Sequence, residues 1–245
     1  MIPKVIHYCW FGRGEMPKLA VDCIASWKKY CPDFELMLWN EDSFDLTSNS
    51  FTFEAYSRKK YAFITDYVRL YAIYHFGGVY MDTDVELLKG IDDLMYLKAF
   101  SGFESETEIP TGIIAGEKQS EWARIQLQYY ENKHFILPDG SLDTTTNVKI
   151  ISDIMRNGGF LFNNTLQTYQ DMITIFPKDY FCPKSYLTNK IELTENTYCI
   201  HHFASSWLSP KMKFKKKIIQ ILGPRLVTMF SKIKSYVLKN IETRS

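Results

Sequence analysis

Two aspartates, Asp82 and Asp84, stand two positions apart at the end of a short apolar segment. If that segment is a strand, the alternation of side chains brings both carboxylates to the same side. Two carboxylates so placed repel each other unless a cation lies between them. Hard divalent ions such as Mg2+ and Mn2+ prefer oxygen ligands of this kind, and they also bind diphosphates. The pair therefore predicts a site for a divalent metal.

A second charged pair precedes the aspartates on a predicted helix. Apolar residues recur at helical spacing over residues 62–76, which predicts a largely buried helix. Asp66 and Arg69 are its only charges, and at a separation of three residues they share one face. Burying two charges on an apolar helix costs free energy unless other groups pair or hydrogen-bond with them. Gly77 and Gly78 are expected to end this helix and to turn the chain into a strand over residues 79–85.

The order of the predicted elements indicates the fold class. A strand over residues 2–11, a helix over 18–30 and a strand over 34–39 precede the helix and strand just described. Such alternation predicts an α/β fold with a Rossmann-like, mostly parallel central sheet. Further strands are predicted at 99–103, 111–115, 172–176 and 198–203, further helices at 121–130 and 147–155, and a polar loop at 138–146.

The glycine-rich signatures of nucleotide-binding proteins, G-x-G-x-x-G and G-x-x-x-x-G-K-[ST], are absent from the sequence. A bound nucleotide would therefore depend on metal and aromatic contacts. Trp10 stands at the carboxyl end of the first predicted strand, where ligands bind in open α/β sheets, and could stack on a base. A place in the core is the commoner role of an aromatic residue. Of the adjacent His201 and His202, at most one can face a given site from a strand.

Composition limits the class of protein. The 245 residues are 46% hydrophobic and 16% aromatic, which suits one globular domain with a sizeable core. The five cysteines are scattered without a C-x-x-C pair, so neither a disulfide framework nor a zinc site is indicated, and a reducing compartment is expected. The sequence shows neither the pattern of a signal peptide nor an apolar run of membrane-spanning length. These features predict a cytoplasmic protein.

The last 35 residues differ sharply in charge from the rest. Residues 211–245 hold ten Lys or Arg against the single acid Glu242, so residues 1–210 carry 19 basic and 27 acidic side chains. Residues 211–245 also show helical apolar spacing, which predicts a basic amphipathic extension to a domain at 1–210. Such a segment can lie on an anionic membrane surface or pack on the acidic domain. No nucleic-acid partner is predicted, because no known binding module is present.

The motifs taken together resemble those of a known family. They are Ile2-Pro3-Lys4-x-Ile6-His7-x-x-Trp10, Asp66-x-x-Arg69, Gly77-Gly78-x-Tyr80-x-Asp82-x-Asp84 and His201-His202-x-x-Ser205-x-Trp207. The ordered set, over roughly residues 2–210, resembles glycosyltransferase family 32. That family includes fungal initiating α-mannosyltransferases and bacterial capsule and exopolysaccharide sugar transferases, and it is similar to the glucosylating domains of clostridial toxins. The resemblance implies a GT-A fold and a retaining hexosyl transfer from a nucleotide sugar, with UDP-sugars favoured, to a glycan or lipid-linked saccharide.

The resemblance also implies contacts to the donor. Trp10 would stack on the base, Tyr80 would pack beside the nucleotide, Asp66 would bind sugar hydroxyls and Arg69 would bind the diphosphate. Thr111 lies in a segment where relatives often place an amide side chain against the donor sugar. This departure leaves the identity of the donor sugar open.

The same resemblance implies a metal site for Mn2+ or Mg2+. Asp84 would bind the ion directly, and Asp82 would hold the ribose and reach the metal through water. His202 and Ser205 would complete the site, and Trp207 would donate a hydrogen bond to the β-phosphate. The residues expected to be catalytic are Asp66, Arg69, Asp82 and Asp84. Because capsule acceptors are usually lipid-linked, the family also favours a peripheral location on the inner face of the cell membrane.

Two other functions compete with this interpretation. Phosphatases of the haloacid dehalogenase type also carry an Asp-x-Asp motif after an apolar strand. Their aspartates normally lie in the first strand with Thr or Val two residues further on, whereas here Glu86 holds that position. The second alternative is a non-catalytic protein that binds nucleotide sugars or glycans in the same pocket without turnover.

Overall fold

The computed structural model describes residues 1–186 and 188–204. These divide into a main unit, residues 1–183 with 192–202, and a second unit of which residues 184–191, without 187, and 203–204 are described. In the second unit Lys184 and Ile191 form an antiparallel bridge, and the ring of Tyr186 meets that of Phe203 edge-on at 5.3 Å. The predicted domain boundary at 210 and the basic extension at 211–245 lie outside the described residues.

The main unit contains nine strands and six α-helices. The strands are β1 Val5–Cys9, β2 Glu35–Trp39, β3 Gly78–Met81, β4 Val85–Leu87, β5 Ala99–Gly102, β6 Ile113–Gly116, β7 Gln167–Tyr169, β8 Ile173–Phe176 and β9 Cys199–His201. The helices are α1 Lys18–Tyr30, α2 Ser50–Ser57, α3 Tyr61–Phe76, α4 Glu121–Gln128, α5 Asn147–Asn157 and α6 Lys178–Phe181. In the described part of the chain, no helix is long and apolar enough to cross a bilayer.

Seven strands form one sheet in the order β2-β1-β3-β6-β5-β8-β7, and β4 pairs with β9 separately. Strand β1 is parallel to β2 and β3, β6 is antiparallel to β3 and β5, β8 is parallel to β5, and β7 is antiparallel to β8. Five of the seven strands therefore run in the same direction. The prediction of an α/β fold with a mostly parallel central sheet, as in GT-A proteins, is confirmed.

Helices cover both faces of this sheet. Because side chains alternate along a strand, Tyr80 of β3 packs into one core with α2, α3, α4 and α5, whereas its neighbours Val79 and Met81 pack into the other core with α1 and α6. Trp27 of α1 and Phe181 of α6 are fully buried in that second core. The sheet is thus held between two apolar layers.

A sharp turn joins α3 to β3. Gly77 and Gly78 have φ angles of +69° and +112°, in the region that favours glycine. A Cβ atom at Gly78 would lie 2.6 Å from the carbonyl oxygen of Val5 and 3.1 Å from Nε2 of His7. This close approach lets β3 lie directly beside β1, so the predicted role of the Gly-Gly pair is confirmed.

The strand predicted over residues 79–85 is wrong in its second half. Strand β3 ends at Met81, and Asp82, Thr83 and Asp84 form a turn before β4 begins at Val85. The N–H of Asp82 donates to the oxygen of Gly112, and the N–H of Val85 donates to the oxygen of Asp82. The two carboxylates are therefore brought together by a turn and not by strand alternation.

Candidate active site

The charged pair on α3 meets the first aspartate of the motif. Nη2 of Arg69 lies 3.1 Å from Oδ1 of Asp82 and 3.2 Å from Oδ1 of Asp66. The Tyr80 hydroxyl donates to the same Asp82 oxygen at 2.8 Å, and the guanidinium carbon of Arg69 lies 4.7 Å from the centre of the Tyr80 ring. Only 8% of the Arg69 side chain is exposed, so this cation is fixed in place between two carboxylates.

Burial and charge shift the pKa values in this cluster. Burial raises the pKa of Asp66 to about 7, although the charge of Arg69 and a hydrogen bond from the backbone N–H of Asn147 lower it. Burial alone would lower the pKa of Arg69, but Asp82, Tyr80 and Asp66 raise it above its usual range. Arg69 therefore stays charged, and the protonation of Asp66 changes near neutral pH.

Asp82, Asp84 and His201 form a second group. Each offers one ligand atom, and these atoms all lie within 4.8 Å of one another. Nε2 of His201 lies 3.4 Å from Oδ1 of Asp84. A Cβ atom at Gly112 would lie 3.3 Å from both Oδ2 of Asp82 and Cγ of His201, so only glycine lets the backbone approach this closely. Carboxylate oxygens and an imidazole nitrogen suit a divalent ion such as Mn2+, so the residues fit the predicted metal.

The structure places a different histidine in this group from the one that the sequence assigned. The sequence assigned His202 to the metal, but His201 is the histidine that lies beside Asp84. His201 pairs with Val85 across β4 and β9, whereas Nε2 of His202 lies 2.8 Å from Oε2 of Glu86. Adjacent side chains leave a strand on opposite sides, so only one of the two histidines can reach the aspartates.

Trp10 follows β1 directly, at the carboxyl end of that strand. Because β1 and β3 are parallel, this is the sheet edge at which Asp82 follows β3. Trp10 is half-buried, and its Nε1 donates to the carbonyl oxygen of Gly14 at 2.6 Å. An indole held in this way at the binding edge of the sheet is compatible with base stacking.

Three other residues were predicted to contact the nucleotide-sugar donor or the metal, and the structure describes one of them, Thr111. Thr111 is 2% exposed, and its hydroxyl accepts from the N–H of Ile113 at 3.2 Å and lies 3.3 Å from the Ile113 oxygen. These contacts engage the hydroxyl in the backbone of its own turn. Ser205 and Trp207 lie outside the described residues, so their predicted roles stay predictions.

Glu104 is a site residue that the sequence did not single out. It follows β5, and its Oε2 lies 3.7 Å from Nδ1 of His201. Burial raises the pKa of Glu104 to about 7, although the charge of His201 lowers it. Burial lowers the pKa of His201, but Asp84 and Glu104 raise it well above its usual value. A carboxylate directly after a predicted strand is the signal by which the sequence could have revealed this residue.

Asn147 is the second unanticipated residue. It is the first residue of α5, and its backbone N–H is hydrogen-bonded to Asp66. Its side chain is buried, and Nδ2 has no hydrogen-bond partner among the described residues. A buried amide without a partner is costly, and a ligand oxygen would satisfy it. The sequence marked this position only as the start of a helix.

Part of this chain is similar in sequence to known proteins. Residues 17–100 match the glycosyltransferase sugar-binding region containing DXD motif. Inositol phosphoceramide mannosyltransferase 3 of Schizosaccharomyces pombe is 30% identical over 121 residues, covering 48% of this chain and 34% of the relative. Inositol phosphoceramide mannosyltransferase 2 of the same yeast is 23% identical over 197 residues, covering 77% and 56%. The chain thus spans between a third and just over half of the length of these relatives.

Among solved structures, the PaToxG glycosyltransferase is similar, with a TM-score of 0.47 and 18% identity over 64% of this chain and 69% of that one. The matched sequence region runs from the start of α1 to β5 and includes Asp66, Arg69, Asp82 and Asp84. The resemblance predicted from the motifs is therefore confirmed by an independent match. The sequence matches thus show that the chain is similar to the DXD glycosyltransferases, of the family 32 type.

Proposed function

We propose that the protein is a metal-dependent retaining glycosyltransferase. It moves a sugar from a nucleotide sugar, with UDP-sugars favoured, to a glycan or lipid-linked saccharide in polysaccharide biosynthesis. The observation that carries the proposal is the convergence of Asp82, Asp84 and His201 beside the buried cation of Arg69. The similarity to inositol phosphoceramide mannosyltransferases supports a lipid-linked acceptor.

In the proposed sugar transfer, each charged group of the site has a role. Loss of the nucleoside diphosphate leaves negative charge on phosphate while an oxocarbenium-like centre forms at the anomeric carbon. Arg69 is fixed and always charged, so it stabilises that negative charge without reorganisation. A divalent ion held by Asp82, Asp84 and His201 would supply further charge neutralisation at the diphosphate. Asp84→Ala removes a ligand to that ion and is the variant of choice for testing the proposal.

Asp66 and Asn147 are proposed to contact the donor sugar. The ionised Asp66 carboxyl accepts hydrogen bonds from sugar hydroxyls, and the Nδ2 of Asn147 can donate to a sugar oxygen. No side chain is assigned as a general base, because in a retaining transfer the departing phosphate oxygen can take the acceptor proton on the same face. Trp10 completes the donor site by stacking on the base.

Hydrolysis of UDP-sugars with Mn2+ tests the proposal. We expect release of UDP and free sugar by the wild-type protein and its loss in Asp84→Ala. Asp153→Ala is the matched control, because Asp153 is a partly exposed residue of α5 that pairs only with Lys149 and Arg156 of the same helix among the described residues. A phosphatase would instead release inorganic phosphate from phosphomonoesters, and a non-catalytic protein would bind the nucleotide sugar without turnover. Absence of nucleotide-sugar binding in calorimetry would refute the proposal.

A thermal-shift screen of UDP- and GDP-sugars with Mn2+ would identify the donor, because a ligand that binds only the folded state raises its stability. Mg2+ in place of Mn2+ in the same screen would identify the metal.

We also propose that residues 211–245 hold the protein on the inner face of the cell membrane. The ten cations of this segment suit an anionic surface, where each contributes about 1 kcal/mol. Co-sedimentation with vesicles of anionic and of neutral lipid tests this. We expect binding to the anionic vesicles alone, and its loss when the lysines between Lys211 and Lys217 are replaced by glutamine.

A further inference from the structure

We infer that Glu104 is a positioning residue, which orients the ring of His201 so that the ring presents Nε2 to the metal. This inference rests on the proposed metal site of the preceding section. Its basis is that the ring lies between two carboxylates, one at each nitrogen. Nε2 is 3.4 Å from Oδ1 of Asp84, and Nδ1 is 3.7 Å from Oε2 of Glu104.

The chemistry of imidazole gives this arrangement a purpose. A neutral histidine binds a metal through one nitrogen while the other carries a proton. A carboxylate beside the protonated nitrogen fixes the tautomer and the ring orientation, and it makes the ligating nitrogen more basic. The charge of Glu104, 3.7 Å from Nδ1, favours the proton on that nitrogen and leaves Nε2 to the ion on the side of Asp84.

Glu104 itself is not among the proposed ligands. In the described part of the chain, the group of mutually close ligand atoms consists of Asp82, Asp84 and His201. Glu104 approaches the nitrogen of His201 that points away from Asp84. The contact therefore suits a residue that acts on the metal through His201.

The backbone around Glu104 is well anchored. The N–H of Phe103 donates to the oxygen of Phe176 on β8 at 2.9 Å, and the Phe103 side chain is fully buried. The N–H of Glu104 donates to the oxygen of Glu108 at 2.9 Å, which closes a tight loop. The Glu104 side chain is 22% exposed and that of His201 is 11% exposed. Because these hydrogen bonds fix the backbone at Glu104 and its side chain is largely buried, the carboxylate can hold the ring with little further loss of side-chain entropy.

Cys182 is the other group that could orient the ring, because its buried thiol lies next to the His201 side chain. A thiol is a weak hydrogen-bond partner. Replacement of Cys182 by serine keeps a hydrogen-bonding group of similar size. The relative effects of changes at Cys182 and at Glu104 therefore decide which residue positions His201.

The affinity for Mn2+, measured from the electron paramagnetic resonance signal of free Mn2+ with and without UDP, tests the inference. We expect Glu104→Gln to weaken Mn2+ binding by about tenfold, since loss of such a partner typically costs 10- to 100-fold. Glu104→Asp should restore most of the affinity, because it keeps the carboxylate. Glu108→Gln, on the same exposed loop, and Cys182→Ser should stay within about twofold of the wild type.

A double-mutant cycle separates positioning from a general structural effect. If Glu104 acts through His201, Glu104→Gln should weaken Mn2+ binding no further once His201→Ala is present. Fully additive effects, an unchanged affinity in Glu104→Gln, or a larger loss in Cys182→Ser would overturn the inference. The wild-type protein failing to bind Mn2+ would also overturn it. Because this assay needs no turnover, Mn2+ binding that depends on Glu104 without any hydrolysis of UDP-sugars would refute only the proposed function.

Discussion

Nη2 of Arg69 lies 3.1 Å from Oδ1 of Asp82, and this contact ties helix α3 to the turn that follows β3. The same nitrogen lies 3.2 Å from Asp66 on its own helix. One buried cation therefore neutralises two carboxylates that belong to different elements. The contact keeps the charged groups together in the absence of a ligand, so we expect stability and the proposed activity to depend on the same side chain.

Replacing Arg69 by methionine is expected to destabilise the protein by about 3–5 kcal/mol, because it leaves the buried Asp66 and the partly buried Asp82 without their cation. Urea unfolding at pH 7 measures the change. Arg124→Met is the control, since Arg124 forms an exposed pair with Glu121 and should cost about 0–1 kcal/mol. Adding Asp82→Asn to Arg69→Met should recover part of the loss. Equal losses at Arg69 and Arg124 would contradict this account.

His7 predicts a dependence of stability on pH. Its buried ring accepts a hydrogen bond from Trp39 at Nδ1 (3.2 Å), so Nε2 carries the proton and donates to the Gly77 oxygen at 2.7 Å. Burial lowers the pKa of His7, although the Gly77 oxygen and the charge of Glu35 raise it. Below about pH 6.5 the unfolded chain takes up a proton that the folded protein binds less readily. Folding stability is therefore lost as the pH falls from 6.5 through the pKa of the folded state.

We expect the His7 contribution to fall by at most about 1.4 kcal/mol per pH unit over this window. The difference in unfolding free energy between the wild type and His7→Gln, measured by urea unfolding from pH 8 to pH 5, isolates it. A difference between wild type and His7→Gln that does not change with pH would argue against a neutral His7.

Trp10→Leu is expected to lower the affinity for UDP in the presence of Mn2+ by about tenfold. Stacking of a base on an aromatic ring is worth about 1–3 kcal/mol, and 1.4 kcal/mol corresponds to a factor of ten. Trp10→Phe should keep most of the affinity, although it loses the hydrogen bond to Gly14. Isothermal titration calorimetry measures both. If the leucine variant binds UDP as tightly as the wild type, Trp10 has only a structural role.

The sequence predicted the elements better than it predicted the site. Helix α3 was predicted to within one residue, because its apolar spacing, its Gly-Gly end and its burial all agree. The strand predicted through Asp82 and Asp84 was wrong, because the contact of Asp82 with Gly112 that turns the chain joins segments distant in sequence. Local alternation contains no information about such a partner.

The histidine and the glutamate show the same limit. Strand alternation predicts that at most one of His201 and His202 faces the aspartates, and the pairing of β9 with β4 decides which one. The approach of Glu104 to His201 depends on the position of β5 in the sheet, and the sequence does not specify the strand order. Charged residues at strand ends can thus be listed from the sequence, whereas their partners require the topology.

Gly112→Ala tests the close packing around the aspartates. A Cβ atom at this position would lie 2.8 Å from Cγ2 of Val85 and 3.3 Å from Oδ2 of Asp82 and Cγ of His201. Relief of these contacts must move the turn or the ring, so we expect Mn2+ binding to weaken about tenfold or more. Gly14→Ala is the matched control, because a Cβ atom there meets no atom within 4 Å.

The Mn2+ affinity of the Gly112→Ala variant should be compared with its unfolding free energy. If the substitution moves only the residues of the site, the variant should lose much of its Mn2+ affinity. Its unfolding free energy should then fall by less than about 3 kcal/mol, the upper range for overpacking. Because Val85 belongs to β4 and His201 to β9, the strain acts on the strand pair that brings the histidine to the aspartates. An alanine variant that binds Mn2+ as tightly as the Gly14→Ala control would show that Gly112 is not needed for metal binding.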